Sequence, residues 1–339
     1  MNAPYRFHLA DHKPIDGPRD MQFSLIANPE HQTAVHVRHV GKKGKSALRD
    51  IDPWLMAYVA DQKRIHPTMR MTHIGVELTF EPNPLDLEAL RRRLSYLALN
   101  NGWSAHLAVG GSECPLYGSW RSLLSRPANE VVRPEFGRRN DNEVSNGDGD
   151  SEVRKTSATI EKYLQTWLAG KDTGGTNERL SIFGSDFYPK AGAAPQVIRE
   201  YPTGVFDGRV SAKTRLLQKH WVDLVTINRR GDLAIIELKV NDPKLDVLAQ
   251  GLDYGLYFSC YLDRLADSLT AKLHVQIKPK HTIACYIANN YFHPLFQQTA
   301  AYYAAPKACP ARFSFNQIQL GQTIPFSRTI APDASRQRR

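Results

Sequence analysis

Two apolar runs separated by a short polar turn constrain the fold of this chain more than any other feature. The first run is Trp221–Ile227 and the second covers residues 232–240, with Asn-Arg-Arg-Gly at 228–231 between them. Runs rich in β-branched residues on either side of a glycine-containing turn are typical of a β-hairpin. By alternation the second run is apolar on both faces, and such a strand is normally buried. The sequence therefore predicts a buried hairpin.

Glu237 and Lys239 interrupt the apolar character at the end of the second run. A buried charge costs several kcal/mol unless it is paired or binds a metal. One interpretation is an ion pair between these two residues at the end of an edge strand. The other involves Asp223 of the first run, because two carboxylates converging in a partly apolar sheet repel each other unless a divalent cation separates them. Oxygen ligands favour Mg²⁺ or Mn²⁺, and a neighbouring lysine can orient an attacking water.

A second polar pattern follows the hairpin. Gln250 and Tyr254 are four residues apart in a segment with helical character, so they share one helix face. Asn-Asp-Pro at 241–243 is predicted to cap that helix.

The order of these motifs resembles the PD-(D/E)xK nuclease superfamily. In that family an Asp is followed, one hairpin later, by an acidic residue, any residue and Lys, as in Asp223 and Glu237-Leu238-Lys239. The later pair is similar to the Q-x-x-x-Y signature of the RecB-like branch. Val222 stands where the family motif has Pro, a departure that many members share.

The resemblance implies the site residues. It makes Asp223, Glu237 and the backbone carbonyl of Leu238 metal ligands, Lys239 the catalytic lysine, and Gln250 and Tyr254 further members of the catalytic set.

These nucleases often take a further acidic ligand from a preceding helix. Glu178 is the best match in this sequence, and Glu200 and Glu161 are its rivals.

The function implied is a Mg²⁺- or Mn²⁺-dependent (endo)deoxyribonuclease that hydrolyses DNA phosphodiester bonds with a metal-activated water. The alternative is a nucleic-acid-binding protein on the same fold with weak or lost catalysis. DNA is the expected partner, RNA stays open as a substrate, and no membrane partner is expected. The sequence does not distinguish a duplex from a single-stranded or branched substrate, or endo- from exonuclease action. It also leaves open whether the role is in repair or in defence, and whether the protein forms a homodimer.

The fold class expected is α/β. Residues 1–135 are predicted to form an N-terminal α/β domain of unknown role, and residues 158–325 a restriction-endonuclease-like core with a mixed central sheet flanked by helices. Between them, residues 136–157 are too poor in apolar side chains to offset their ordering entropy and are predicted to be a flexible linker. Residues 326–339 are predicted to be a basic tail.

Further elements follow from periodicity and from helix start and stop signals. Helices are predicted from Pro53 onward, over 84–99, over 161–168, from a cap at Asn177, and over 291–303; strands are predicted at 74–80, 106–109, 281–288 and 311–320.

Charge favours an anionic partner. Lys and Arg number 44 against 34 Asp and Glu, a net charge of +10, which suits a polyanion such as DNA. A basic loop with Lys42, Lys43 and Lys45, together with the arginine run at 91–93, is a candidate surface for tracking phosphates. The alternative is a solvated loop that contacts no ligand.

Two further expectations concern histidines and location. His36 and His39 lack nearby Cys, Asp or Glu and are interpreted as surface or groove residues rather than metal ligands. No stretch reaches the ~18 consecutive apolar residues of a transmembrane helix, and the first residues lack the pattern of a secretory signal. A soluble, cytoplasmic protein is therefore expected.

Overall fold

The structure is a computed structural model of the whole chain. It describes residues 4–8, 13–27, 32–40, 47–126, 130–132, 157–169, 178–187, 196–209, 211, 213–217, 220–278, 281–304 and 313–320.

The described residues form a mixed α/β protein. Its helices are α1 (Ala47–Ile65), α2 (Pro84–Asn101), α3 (Trp120–Leu123), α4 (Ser157–Ala169), α5 (Asp246–Leu273) and α6 (Phe296–Ala300), with 3₁₀ segments at Glu178–Phe183 and Ser185–Phe187. Its strands are β1 (Arg6–Phe7), β2 (Ile15–Asp16), β3 (Met21–Ala27), β4 (Gln32–His39), β5 (Arg70–Leu78), β6 (Ser104–Val109), β7 (Ser112–Glu113), β8 (Glu130–Val132), β9 (Ile198–Pro202), β10 (Val205–Asp207), β11 (Arg215–Leu217), β12 (Trp221–Ile227), β13 (Leu233–Lys239), β14 (Ile283–Asn289) and β15 (Phe313–Gln319).

The chain forms two compact units, and neither is continuous in sequence. Unit 1 contains residues 1–126, 244–256 and 293–315, and unit 2 contains 127–243, 257–292 and 316–339. The sequence predicted that 244–256 and 293–315 belong to the nuclease-like part, whereas their contacts group them with unit 1. The predicted linker falls outside the described residues except for Ser157, and the predicted tail lies wholly outside them.

Unit 1 contains a five-stranded mixed sheet in the order β3-β4-β5-β6-β7. Strands β4, β5 and β6 are parallel neighbours, while β3 and β7 pair antiparallel at the two edges. Side chains alternate across the sheet, and one face packs against α1 and α2. That face carries buried apolar residues of the three central strands, including Val35, Val37, Ile74, Val76 and Leu107.

Helix α2 begins and ends where its sequence signals predict. The side chain of Asn83 accepts a hydrogen bond from the backbone N–H of Leu85, and Pro84 occupies the first turn. At the other end Gly102 adopts φ = 69°, a left-handed conformation that glycine reaches without strain. The predicted helix over 84–99 is confirmed and extends to Asn101.

Helix α1 begins earlier than predicted. Pro53 was expected at its first position, but the helix starts at Ala47 and contains Pro53 in its interior. The neighbouring Asp52 is fully buried and pairs with the Arg93 guanidinium at 2.9 Å. Proline inside a helix cannot donate the usual backbone hydrogen bond. Tertiary contacts of this kind offset that loss and stabilise the turn before Pro53.

Unit 2 is built around a five-stranded mixed sheet in the order β15-β14-β13-β12-β9. The predicted hairpin is confirmed: β12 and β13 pair antiparallel from Ile227↔Leu233 to Leu224↔Ile236. Strand β9 pairs antiparallel with β12, and β14 runs parallel to β13. A smaller sheet has the order β11-β10-β8. The predicted edge strand near 311–320 is β15, at one end of the larger sheet.

One apolar cluster packs between this sheet and the elements that precede it. It joins residues of α4, the 3₁₀ segments and four strands: Leu164, Leu168, Leu180, Phe183, Phe187, Leu224, Ala234, Ile236, Leu238, Ala284, Tyr286, Ala288, Ile318 and Leu320.

Three other elements differ from prediction. The helix expected over 291–303 is the short α6, preceded by Pro294, whose ring does not fit a helix interior. Helix α5 begins at Asp246, three residues after the Asn-Asp-Pro segment that was expected to cap it. The helix expected from Asn177 is a 3₁₀ segment from Glu178, and Asn177 lies outside the described residues.

Candidate functional site

The hairpin of unit 2 brings Asp223 and Glu237 to the end of a β-ladder. The ladder's last pair is Leu224↔Ile236. Beyond that pair, Oδ2 of Asp223 accepts a hydrogen bond from the backbone N–H of Leu238 at 2.7 Å. Because the N–H and C=O of one residue in an antiparallel ladder point toward the same neighbouring strand, the Leu238 carbonyl is directed toward the Asp223 side as well.

Helix α4 supplies two polar residues to the same cluster. The Gln165 amide Nε2 donates a hydrogen bond to Oδ1 of Asp223 at 2.7 Å, within the buried interior. Glu161 lies four residues earlier on the helix and therefore on the same face. Its Oε1 is 3.9 Å from Nζ of Lys239.

Lys239 links the carboxylates. Its Nζ is 2.6 Å from Oε1 of Glu237, in addition to its contact with Glu161. The Glu237 side chain is only 3% exposed, whereas those of Lys239 and Glu161 are 17% and 22% exposed. Solvent therefore reaches the cluster from the side of the lysine and of helix α4.

The ion pair between Glu237 and Lys239 does not lie on an edge strand. Strand β13 is the middle strand of the sheet, between β12 and β14. A charged pair at the end of a central strand needs further partners, and Glu161, whose Oε1 is 3.9 Å from Nζ of Lys239, is one of them.

Burial and repulsion between like charges determine the direction of the pKa shifts of the carboxyl groups in the cluster. Burial, followed by repulsion from Glu237, raises the pKa of Asp223 well above its ordinary value. Burial raises the pKa of Glu161 to about 7, a shift that Lys239 opposes and Glu237 adds to. Although burial alone would lower the pKa of Lys239, Glu237 and Asp223 raise it, so the side chain stays an ammonium at neutral pH.

This donor set suits a hard divalent cation. Three carboxyl groups share the cluster with a single ammonium, and the raised pKa values of Asp223 and Glu161 indicate that their ionised forms are disfavoured there without a further cation. Carboxylate and carbonyl oxygens are the ligands that Mg²⁺ and Mn²⁺ prefer, and a cation between Asp223 and Glu237 would remove the repulsion that raises the Asp223 pKa. The residues present therefore fit such an ion.

Among the three candidates for the further acidic ligand, the structure describes a contact with the cluster for Glu161. Glu161 reaches Lys239, as given above. Glu178 begins a 3₁₀ segment, and its side chain lies outside what the structure describes. Glu200 lies on β9 in a left-handed conformation with φ = 51°. The preference for Glu178 stays an untested prediction.

Gln250 and Tyr254 both lie on α5, in the part of the helix that belongs to unit 1. The Gln250 amide donates a hydrogen bond to the Tyr254 hydroxyl at 2.7 Å, which confirms that they share one helix face. Tyr254 is 1% exposed. Their role in a catalytic site stays a prediction.

The structure removes one residue from the basic surface predicted in the first half of the chain and does not describe three others. Lys42, Lys43 and Lys45 lie outside the described residues. Arg93, expected on that surface, is instead 1% exposed, with its guanidinium bound to Asp52, to Asp253 and to the Leu48 carbonyl. An arginine held this way is not available to phosphates.

The histidine interpretation also changes. His36 and His39 lie on strand β4, where residues three apart point to opposite faces. His39 is fully buried, whereas His36 is half-buried on the face opposite α1 and α2. There it meets His73 and His106, two residues that sequence reasoning missed.

Gln165 was missed as well. A signal was present, because Glu161 and Gln165 are polar residues four apart on a helix whose Leu164 and Leu168 are buried. Such a polar pair beside an apolar helix face indicates a buried polar partner.

Comparison of the chain with the profiles of known protein families, with curated protein sequences and with solved structures found no match. Within the part of the chain that the structure describes, no helix is both long enough and apolar enough to cross a bilayer.

Proposed function

We propose that the protein is a divalent-metal-dependent nuclease that hydrolyses phosphodiester bonds in DNA, with a restriction-endonuclease-like core in unit 2. The observation that carries the proposal is the cluster in which Glu237 and Glu161 contact the Lys239 ammonium, and Asp223 is held at the adjacent Leu238 N–H. The order of elements adds support. A helix (α4), three antiparallel strands of the larger sheet (β9, β12 and β13), a helix (α5) and a strand parallel to β13 (β14) occur in this order, with β10 and β11 of the smaller sheet inserted between β9 and β12. Apart from that insertion, this is the order that the PD-(D/E)xK resemblance implies.

In this proposal Asp223, Glu237 and the Leu238 carbonyl hold Mg²⁺ or Mn²⁺, and Glu161 is a further carboxylate at the same ion. When bound, a cation of this class activates a water and neutralises charge on a phosphodiester oxygen. Gln165 and the Leu238 N–H keep the Asp223 carboxylate in one orientation through two hydrogen bonds of 2.7 Å.

Lys239 contributes a charged donor rather than a base. Since Glu237 and Asp223 keep it protonated, its N–H groups can hold a water or a phosphate oxygen beside the carboxylates. A charge-assisted hydrogen bond of this kind is stronger than a neutral one, and it stabilises negative charge that develops on the phosphate during attack.

The test uses closed-circular single-stranded DNA and supercoiled duplex DNA, each incubated with the purified chain and Mg²⁺, Mn²⁺ or EDTA. Cleavage is expected with either ion and not with EDTA. Lys239→Ala should reduce the rate by about 10²-fold or more, the effect of removing one preorganised donor, with DNA affinity nearly unchanged. Lys272→Ala is the matched control, since Lys272 is exposed at the end of α5 in the same unit.

Two results would contradict the proposal. One is cleavage by Lys239→Ala at the parent rate. The other is a folded parent chain that binds DNA and leaves both circles and end-labelled linear DNA intact with every ion, which would favour the alternative of a nucleic-acid-binding protein without catalysis.

A further inference from the structure

Three histidines from three adjacent strands meet on one face of the unit 1 sheet. The register places His36 of β4 beside Gly75 of β5, and Gly75 beside His106 of β6. His73 lies two residues before Gly75, so its side chain emerges on the same face. Helices α1 and α2 cover the opposite face, and the three imidazoles are half-buried.

The ring nitrogens lie close together. Nε2 of His73 and Nδ1 of His106 are 3.0 Å apart, and one nitrogen from each of the three rings lies within 4.8 Å of the other two. Around a tetrahedral Zn²⁺, with bonds of about 2.0–2.1 Å, three nitrogens would lie about 3.3 Å from one another. The separations in the structure, 3.0 Å for one pair and at most 4.8 Å for the others, span this value.

Gly75 makes this approach of the rings sterically allowed. A Cβ atom at position 75 would lie 2.5 Å from Nδ1 of His36 and 2.4 Å from Cε1 of His106. Both distances are far below a van der Waals contact. The middle strand therefore has no side chain at the one position where any side chain would push the two imidazoles apart.

The third ring is fixed from its other side. Nδ1 of His73 is 2.8 Å from the Ser104 hydroxyl, which in turn donates a hydrogen bond to the Thr72 carbonyl at 3.2 Å. Histidine ligands commonly have their second nitrogen held by such a partner, which sets the tautomer and the ring orientation. Burial also lowers the pKa of His36 and of His73, which favours the neutral imidazole that binds metals.

We propose that His36, His73 and His106 form a transition-metal site of the zinc class, separate from the carboxylate cluster of unit 2. Imidazole nitrogens suit Zn²⁺, and oxygen ligands suit Mg²⁺ and Mn²⁺, so the two sites select different ions. Three histidine ligands leave one tetrahedral position for water, the arrangement of zinc sites that bind or activate an exchangeable ligand. The proposal does not depend on nuclease activity.

The experiment titrates metal-free protein, with any affinity tag removed, with Co²⁺ and follows the visible absorption of tetrahedral cobalt. Zn²⁺ is then added to displace the Co²⁺. One Co²⁺ per chain is expected to bind with a tetrahedral spectrum, and Zn²⁺ is expected to abolish it. His36→Ala and His106→Ala should each weaken binding by at least roughly tenfold, while His66→Ala, an exposed histidine after α1, should not.

Two further variants test the geometry of the histidine site and its independence from unit 2. Gly75→Ala keeps all three histidines but should weaken Co²⁺ binding, because the added Cβ displaces the rings; circular dichroism checks that it folds. Glu237→Gln should leave the cobalt spectrum unchanged, which distinguishes this site from the carboxylates. The proposal is overturned if the parent chain gives no tetrahedral cobalt complex, or if the complex survives His106→Ala.

Discussion

The Gln165 amide donates a hydrogen bond to the Asp223 carboxylate at 2.7 Å, although the two residues are 58 positions apart in the chain. This contact ties helix α4 to strand β12 at the point where the β-ladder ends. It also gives this buried part of the cluster a fixed geometry. Asp223 is 8% exposed and Gln165 6%, so a water molecule cannot readily replace this hydrogen bond at either side chain.

The first prediction concerns a substitution that removes this contact. Gln165→Leu keeps the approximate size of the side chain but deletes the amide donor, leaving Asp223 with the Leu238 N–H alone. The free energy of unfolding should fall by about 1.5–3 kcal/mol, the range for hydrogen bonds to charged groups. Chemical denaturation at pH 8 in EDTA measures it.

Lys162→Met is the control for Gln165→Leu, because Lys162 is exposed on the same helix. Its change in stability should stay within about 0.5 kcal/mol. Equal effects of the two substitutions would contradict the structural role of the Gln165 contact.

The second prediction concerns pH. The Glu161 carboxyl has an ordinary pKa of 4.5, which rises to about 7 in the folded protein. Between these values the folded state binds more protons than the unfolded state, so the free energy of unfolding falls as the pH rises from about 4.5 to about 7. Glu161→Gln removes this contribution and should raise stability at pH 8 by up to about 3 kcal/mol.

The measurement is a series of denaturant titrations across that pH interval without divalent cations. Asp267→Asn, an exposed carboxylate of α5, should keep the parent's slope. A residual fall is expected even in Glu161→Gln, because the Asp223 pKa is raised as well. A slope in Glu161→Gln identical to the parent's would contradict this prediction.

The third prediction concerns the buried arginine of unit 1. Arg93 binds both Asp52 and Asp253 at 2.9 Å and is 1% exposed. Arg93→Ala leaves the buried Asp52 and the partly buried Asp253 without their cation and should cost about 3–5 kcal/mol of unfolding free energy. Arg38→Ala removes an exposed pair with Glu77 in the same unit and should cost less than about 1 kcal/mol. Thermal and denaturant unfolding compare the two, and similar losses would be the contrary result.

The fourth prediction tests Gln250 in the proposed nuclease. Gln250→Ala should lower kcat by about tenfold or more, equivalent to ~1.4 kcal/mol in the barrier, with little change in Tm because Gln250 is only half-buried. Gln297→Ala, on exposed α6 surface in the same unit, is the control. A purely structural role would appear in Tyr254→Phe as a lower Tm with an unchanged kcat of the folded fraction.

The hairpin could be predicted from sequence because its information is local. Two apolar runs and a glycine turn predict β12 and β13, and the Glu-x-Lys sequence gives the position of the charged side chains in the sheet. Helix α2 was equally predictable from the helical spacing of its leucines and from the stop signal that ends at Gly102. In each case residues close together in the chain determine the structure.

Contacts between distant segments were not predictable in the same way. Nothing near Gln165 in sequence indicates Asp223, and the histidine cluster depends on the parallel order β4-β5-β6, which places His36, Gly75 and His106 in one row. A spacing of three suggested His36 with His39, but on a strand that spacing separates the faces. Arg93 resembled a surface charge because its partners, Asp52 and Asp253, are far away in the chain.

The last prediction concerns the basic loop of Lys42, Lys43 and Lys45, whose role in DNA binding was inferred from charge alone. Each phosphate neutralised on duplex DNA contributes about 0.9 to the slope of log affinity against log salt. Changing all three lysines to Ala should therefore weaken binding at low salt and flatten that slope by about two to three. Fluorescence anisotropy of labelled duplex DNA, measured across salt concentrations in the Lys239→Ala background to prevent cleavage, gives the slope.

The control for the loop is a second triple substitution of exposed lysines, Lys13, Lys162 and Lys272 to Ala. It removes the same net charge from other surfaces, so any effect of total charge alone would appear in both proteins. If the loop contacts phosphates, only its own variant flattens the slope, and Mn²⁺ affinity stays the same in both. Equal slopes for the loop variant and its control would show that these lysines act only through the net charge of the chain.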